Sequence, residues 1–314
     1  MSSVNAGIDV LGLGCTAVDE ILYVNAWPAA DAKTPVCRRE RQCGGLTATA
    51  LVAAARLGAR CAYAGLLGED EHSRFVCDML HREGVDMSHA VRAQGARPVR
   101  SVIIVDERRQ TRNIFYDLSG VEGAHAHQPR ASVIRSSRVL FVDRFGVAGM
   151  RRAARVARAA GIPVVADLES AGHAGVRGLM RLADHLIVSE EFALEFTGCK
   201  HPAIAVARLR ARGHEVAVVT CGERGCWFQE RGWPLPRRQP AFKVRAVDTT
   251  GCGDVFHGAY AYALARGLPL GDRIRLASGT AAIKATRRGG QAGSPRLSEL
   301  KRFLQQHGVR PSLF

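Results

Sequence analysis

The chain has 314 residues, of which 44 are Lys or Arg and 29 Asp or Glu, for a net charge of +15, and 47% are hydrophobic. Such a composition excludes a disordered or collagen-like chain and leaves enough apolar material for a sizeable core without covalent staples. No apolar run approaches the roughly 18 residues of a bilayer span, so a membrane partner is not expected.

Taken in chain order, residues 10–13 read as a first strand. Residues 46–57 are Ala-rich with helical spacing and end at Gly58, a natural C-cap. Residues 62–67 read as a strand and 72–83 as a helix. The pattern repeats as strand 139–142, helix 150–160, strand 163–166, strand 185–188, helix 191–197, helix 203–212 and strand 216–219. Helical patterns over 254–266, 272–286 and 298–306 complete the chain. Strands alternating with helices predict an α/β fold with a mostly parallel central sheet flanked by helices. Continuous apolar strands fit burial on both faces. Residues 20–42 and 97–117 break this rhythm, and 101–105 with 113–116 read as a hairpin turning over 106–110. A small antiparallel lid inserted in one 1–314 unit is therefore expected.

Nine cysteines occur without paired or CxxC spacing, which argues against both a disulfide framework and a zinc site. Residues 1–10 lack the charged and apolar regions of a signal peptide, so a reduced, cytoplasmic protein is expected. Only five of the basic residues are Lys; the other 39 are Arg, scattered as pairs such as Arg38-Arg39 and Arg287-Arg288. No basic block interleaved with aromatics marks a nucleic-acid partner. The remaining readings are an arginine-rich solvated surface and an anionic small substrate.

The segment that carries chemistry is Asp248-Thr249-Thr250-Gly251-Cys252-Gly253-Asp254. It lies between a strand-like stretch and a helix, so its glycine turn sits at a helix N-terminus. Unpaired N–H groups and the positive dipole end attract an anion there. Asp254 in the first turn is placed to accept a hydroxyl proton while the amides of Gly251, Cys252 and Gly253 stabilise a transferring phosphoryl group. The dipole predicts an ionised Asp254. A thiol at this N-terminus reads either as a reactive Cys252 or as a small filler. Gly12-Leu13-Gly14 lacks the third glycine of a dinucleotide fingerprint and carries little weight.

Asp-Thr-Thr-Gly-x-Gly-Asp before a small-residue helix resembles the C-terminal signature of the ribokinase-like, or phosphofructokinase-B type, sugar kinases. Gly12-Leu13-Gly14 with Asp19, Gly44-Gly45, residues 65–70, Thr220-Cys221-Gly222-Glu223-Arg224-Gly225 and Gly289-Gly290 match further blocks of that family in order. The resemblance implies an ATP-dependent kinase with Mg²⁺, a monovalent cation such as K⁺, and a homodimer formed through the lid. It implies that Asp19, Gly44 and Gly45 contact the sugar, that Thr220, Gly222 and Gly225 border ATP, and that Asp254 is the base. Three positions depart from the family pattern. Thr49 stands where Asn is usual, and Cys252 where Ala is frequent. Ser189-Glu190-Glu191-Phe192 occupies the place of Asn-x-x-Glu, so Ser189 falls to the nucleotide and Glu190 or Glu191 to the metal.

Residues 240–244, 253–259 and 289–293 are similar to the sulfofructose kinase and ketohexokinase-like branch. Lys33 in the lid and Arg144 are candidates for an anionic substituent of the sugar. The expected reaction is transfer of a γ-phosphoryl group to a hydroxymethyl oxygen of a furanose-like sugar, with a ketohexose, or a sulfonated or phosphorylated ketohexose, as the leading class. A nucleoside or other ribosyl kinase and a non-catalytic sugar- or nucleotide-sensing homologue are the alternatives.

Overall fold

The computed structural model describes residues 7–309 apart from 110, 171, 173 and 174. In chain order the elements are β1 (Ile8–Leu13), β2 (Ala17–Val24), β3 (Arg38–Gly44), α1 (Leu46–Arg56), β4 (Cys61–Tyr63), β5 (Leu66–Leu67), α2 (Glu71–Arg82), β6 (Val85–Asp86) and β7 (Val91–Arg92). Then come β8 (Val99–Asp106), β9 (Thr111–Asp117), α3 (Ala131–Arg135), β10 (Ser137–Val142), α4 (Val147–Ala159), β11 (Val164–Asp167), α5 (Val176–Met180), β12 (His185–Ser189) and α6 (Glu190–Thr197). The last part holds α7 (Pro202–Arg210), β13 (Val216–Thr220), a 3₁₀ turn (Gly222–Arg224), β14 (Cys226–Glu230), β15 (Arg237–Gln239), α8 (Cys252–Ala265), α9 (Leu270–Ala285) and α10 (Leu297–Gln306).

The large sheet has nine strands in the order β15-β14-β13-β12-β11-β10-β1-β4-β6. It is parallel from β6 to β13, because a helix-containing crossover separates successive strands. β13, β14 and β15 are antiparallel, because the link from β13 to β14 is only the tight turn around Gly222–Arg224. Every residue of β1 and β11 is buried, as their unbroken apolar runs require between two helical layers. α1, α2, α8, α9 and α10 cover one face and α3 to α7 the other. α8 passes so close to α1 that a Cβ on Gly258 would lie 2.0 Å from the Ala50 carbonyl oxygen. No helix among the described residues is long and apolar enough to cross a membrane.

Residues 62–67 do not form one strand. β4 pairs with β1, whereas β5 pairs with β7 in a two-stranded sheet. The backbone changes partner between them: Ala64 N donates to Gly12 O and Leu66 N to Gly123 O. The irregular regions form a four-stranded sheet in the order β3-β2-β8-β9. β8 and β9 make the expected hairpin, although Gln110 of its turn lies outside the described residues. The sheet is mixed rather than antiparallel, because β2 and β8 run parallel. They are joined by a long crossover through the core, not by a turn, which permits the same direction.

Candidate active site

A cleft of about 290 Å³ opens between the four-stranded sheet and the N-terminus of α8. Asp19, Gly44, Gly45, Thr49, Gly251 and Asp254 all line it. Asp19 projects from β2, level with Gln42 on β3 and Ser101 on β8. A Cβ on Gly44 would lie 2.5 Å from Asp19 Oδ2, so only glycine leaves room for this carboxylate. Burial raises the Asp19 pKa, opposed by a hydrogen bond with Ser101. Thr49 lies on α1 and is buried, next to Gly251 across the cleft.

The loop before α8 is held by a side-chain network. Asp248 Oδ1 accepts from Thr250 N at 2.8 Å and Oδ2 from Gly289 N at 2.9 Å. Lys284, fully buried, donates to Asp248 O at 2.7 Å and lies 3.7 Å from Asp248 Oδ2. It also donates to Arg287 O at 3.4 Å. A tethered ammonium therefore joins the two loops that border the cleft. Burial lowers the Lys284 pKa, opposed by the Asp248 charge.

Gly251 is the N-cap of α8, with φ of 73° that favours glycine. The amide of Cys252 already donates to Thr249 O at 3.2 Å. Among the described residues the N–H groups of Gly251, Gly253 and Asp254 have no partner. The donors available to an anion are thus Gly251, Gly253 and Asp254, with Cys252 contributing its backbone only as part of the turn. The Cys252 thiol is pushed up to about 11, chiefly by burial, and lies 3.7 Å from Ala281 O. Burial therefore favours the filler reading of this cysteine over the thiolate.

The surroundings of Asp254 act against the ionisation that the helix dipole favours. Its pKa is raised well above the ordinary carboxylate range by burial, then by the Asp167 carboxylate, with Glu169 and Asp143 adding to it and His257 opposing. These neighbours escaped the sequence reading. Asp167 ends β11 and its Oδ2 has no hydrogen-bond partner among the described residues. Burial raises its pKa too, with the Glu169 and Asp143 charges adding. Asp143 follows β10 and accepts from Cys15 N at 2.7 Å, Thr47 Oγ1 at 2.8 Å and Phe145 N at 2.8 Å. Burial still holds its pKa at about 6. His257, one turn into α8, sits with Nδ1 2.8 Å from Gly253 O and 3.4 Å from Asp167 Oδ2, and Nε2 3.1 Å from Ile187 O. Its ring lies between the first turn of α8 and strands β11 and β12. Only the fold brings these groups together: no local spacing links 143, 167 and 254.

The remaining expected residues lie outside this cleft's lining. Ser189 and Thr220 are level with each other at the C-terminal ends of β12 and β13, and Gly222 and Gly225 form the following turn. Ser189 caps α6 by accepting from Phe192 N at 3.2 Å, while Phe192 is buried. Glu190 is engaged by Arg224, and Glu191 is exposed in the first turn of α6. This segment therefore offers no preassembled set of metal ligands, and no group of three or more His, Cys, Asp or Glu suited to a metal occurs among the described residues. Lys33 is exposed on the β2–β3 connection. Arg144 pairs with Glu169 at 3.0 Å and covers the Phe145 ring. The cationic groups that do line the cleft are Arg112 of β9 and Arg288, which lies 3.8 Å from Glu107.

A family model described as pfkB family carbohydrate kinase matches residues 9–297. A ribokinase from Haemophilus influenzae is 27% identical over 274 residues, covering 83% of this chain and 87% of its own. A nucleoside kinase from Methanothermobacter thermautotrophicus is 24% identical over 309 residues, covering 97% and 98%. Among solved structures, an Agrobacterium tumefaciens protein with a provisional ribokinase name superposes with a TM-score of 0.90 at 30% identity, covering 97% of this chain and 99% of that one. Arabidopsis thaliana ribokinase, solved with ribose and ATP, superposes with a TM-score of 0.85 at 20% identity over 95% and 99%, a likeness of fold.

Proposed function

The chain belongs to the pfkB family of carbohydrate kinases, and from that premise we propose that it transfers the γ-phosphoryl group of ATP to a hydroxymethyl oxygen of a furanose-like sugar. The observation that carries this reading is one cleft holding Asp19 and Thr49 opposite Asp254 and the unpartnered amides at the start of α8. Asp19 receives sugar hydroxyls, since a carboxylate accepts two donors. Asp254 takes the proton of the attacking hydroxyl, and the amides of Gly251, Gly253 and Asp254 hold the transferring phosphoryl charge. Positioning and charge stabilisation supply most of the catalysis in such a transfer. Ser189, Thr220, Gly222 and Gly225 border the nucleotide further along the same strand ends. Mg²⁺ enters on the nucleotide's phosphates, as this ion commonly does; Glu190 is committed to Arg224, and no step is assigned to it.

The leading substrate class is a ketohexose that carries a sulfonate or phosphate. Arg112 supports it, because it lines the cleft from the lid with no carboxylate partner among the described residues, and Arg288 stands on the opposite wall. These two arginines take the role first considered for Lys33 and Arg144. A nucleoside is the second reading, favoured by the apolar wall of Ile21, Ile103 and Val105. We also propose that the Lys284 ammonium takes the place of an alkali cation, so that K⁺ is not required. The exposed apolar side chains Val102, Ile114, Phe115 and Tyr116 on the lid support a homodimer that covers this face.

The deciding experiment is an ATP-consumption screen over neutral, phosphorylated and sulfonated ketoses, ribose and nucleosides, with product identified by mass. Turnover of an anionic ketose well above its neutral parent is the expected result. Preference for a nucleoside selects the second reading, and no turnover of any sugar or nucleoside overturns the kinase assignment.

A further inference from the structure

A second pocket, of about 450 Å³, lies away from the catalytic cleft and is lined by Arg177, Met180, Arg181, Phe196, Arg212 and His214. Arg177 and Met180 belong to α5, Phe196 to the end of α6, and Arg212 and His214 to the link from α7 into β13. Met180, Arg181 and His214 therefore sit by the starts of the parallel strands β12 and β13. The cleft lies by the opposite ends of the sheet strands, so the two sites share no residue.

Three arginines converge on this pocket. Arg56, Arg60 and Arg231 each meet a carboxylate, at 2.7, 3.1 and 3.1 Å. Arg177, Arg181 and Arg212 are exposed and meet none among the described residues. Two of them pack against one aromatic ring: the guanidinium of Arg212 lies 4.8 Å and that of Arg177 6.0 Å from the Phe196 ring centre. Asp184, whose charge reaches His214, is already held by Arg158 at 3.5 Å and by Val164 N at 3.0 Å. Like charges gathered without a counter-ion repel, and an anion between them relieves that cost.

His214 adds an independent signal. It is 2% exposed, and its Nδ1 lies 2.7 Å from Ala183 O, so Nδ1 carries the proton. Nε2 is then a bare acceptor, and it is buried with no partner among the described residues. Buried polar atoms are rarely left unpaired, and an exception calls for a missing ligand or water. The P–OH of a hydrogen phosphate group supplies the donor that Nε2 lacks, while its anionic oxygens match guanidinium forks.

We propose that this pocket binds a small phosphate-bearing anion at a site separate from the catalytic cleft. The proposal does not depend on what the cleft turns over. Equilibrium dialysis with ³²P-labelled pyrophosphate tests it on the full chain, comparing the parent with R177Q/R212Q and with the cleft variant R112Q. The two substituted arginines of the pocket are exposed, so folding is preserved, and a matching thermal melt checks this. Losing two charge-assisted contacts weakens binding by about tenfold or more. The expected result is that loss in R177Q/R212Q, with this class of sites kept in R112Q and basal kinase turnover unchanged in R177Q/R212Q. Parent-like binding in R177Q/R212Q, or disappearance of the sites in R112Q alone, overturns the proposal.

Discussion

Lys284→Met removes the buried ammonium while keeping an unbranched side chain of similar length. At 3.7 Å from Asp248 Oδ2, the charge pair is worth about 4 kcal/mol in an effective dielectric of about 20. Asp248 keeps its bonds from Thr250 N and Gly289 N, and its side chain is 21% exposed, so part of that loss is recovered. The hydrogen bonds to Asp248 O and Arg287 O are lost as well. A net destabilisation of about 2–3 kcal/mol results, which lowers the melting temperature by about 5 °C in a chain of this size. The loop carrying Gly251 is also released from the Gly289 loop. Displacement of a reacting group by about 1 Å costs up to ~100-fold in rate, so kcat falls by about 10–100-fold. Scanning fluorimetry and coupled-enzyme kinetics read both effects. Lys284→Ala leaves room for an ion and should regain part of its kcat in K⁺ or NH₄⁺, whereas the parent ignores K⁺. A parent activated several-fold by K⁺, or a Lys284→Met protein with unchanged melting and turnover, refutes this account.

Asp254→Asn should lower kcat by about 10²–10⁴-fold, the usual worth of a positioned base, with ATP affinity preserved in a calorimetric titration. Because burial and Asp167 raise the Asp254 pKa, the deprotonated base is lost as pH falls through that raised value. The acid limb of the kcat profile should then lie above the ordinary carboxylate range of about 4. Asp167→Asn removes a like charge and should shift this limb down; an upward shift would contradict the cluster. Asp19→Ala should raise the KM for sugar far more than that for ATP, and the reverse pattern would move Asp19 out of the sugar pocket. Arg112→Ala should selectively impair anionic ketoses while Lys33→Ala leaves them intact, as steady-state kinetics on matched neutral and anionic sugars will show.

The state of Asp254 connects the fold to the chemistry. A helix N-terminus alone favours the carboxylate. Burial acts in the opposite direction, and the carboxylates at the ends of β10 and β11 add to it. A base with a raised pKa is better matched to a hydroxyl proton near neutral pH. The sheet order sets this balance, because it places β10, β11 and β12 side by side under the first turn of α8.

The alternation of strand and helix, the lid insertions and the Gly251-Cys252-Gly253-Asp254 turn are legible in the amino-acid order. Each rests on local spacing: apolar runs of strand length, glycines at helix ends, an acidic residue in a first turn. That order could not resolve the partner switch between β4 and β5 or the parallel pairing of β2 with β8, which depend on distant strands. Nor could it see Lys284 under Asp248, His257 between Gly253 and Ile187, or Arg112 facing Arg288 across the cleft. Thr47 and Asp143 are 96 residues apart in the chain and 2.8 Å apart in space. Burial and charges brought in by distant segments raise the pKa of both Cys252 and Asp254. A residue's type is local, but its burial and the charges around it are set by segments that the sequence keeps far apart.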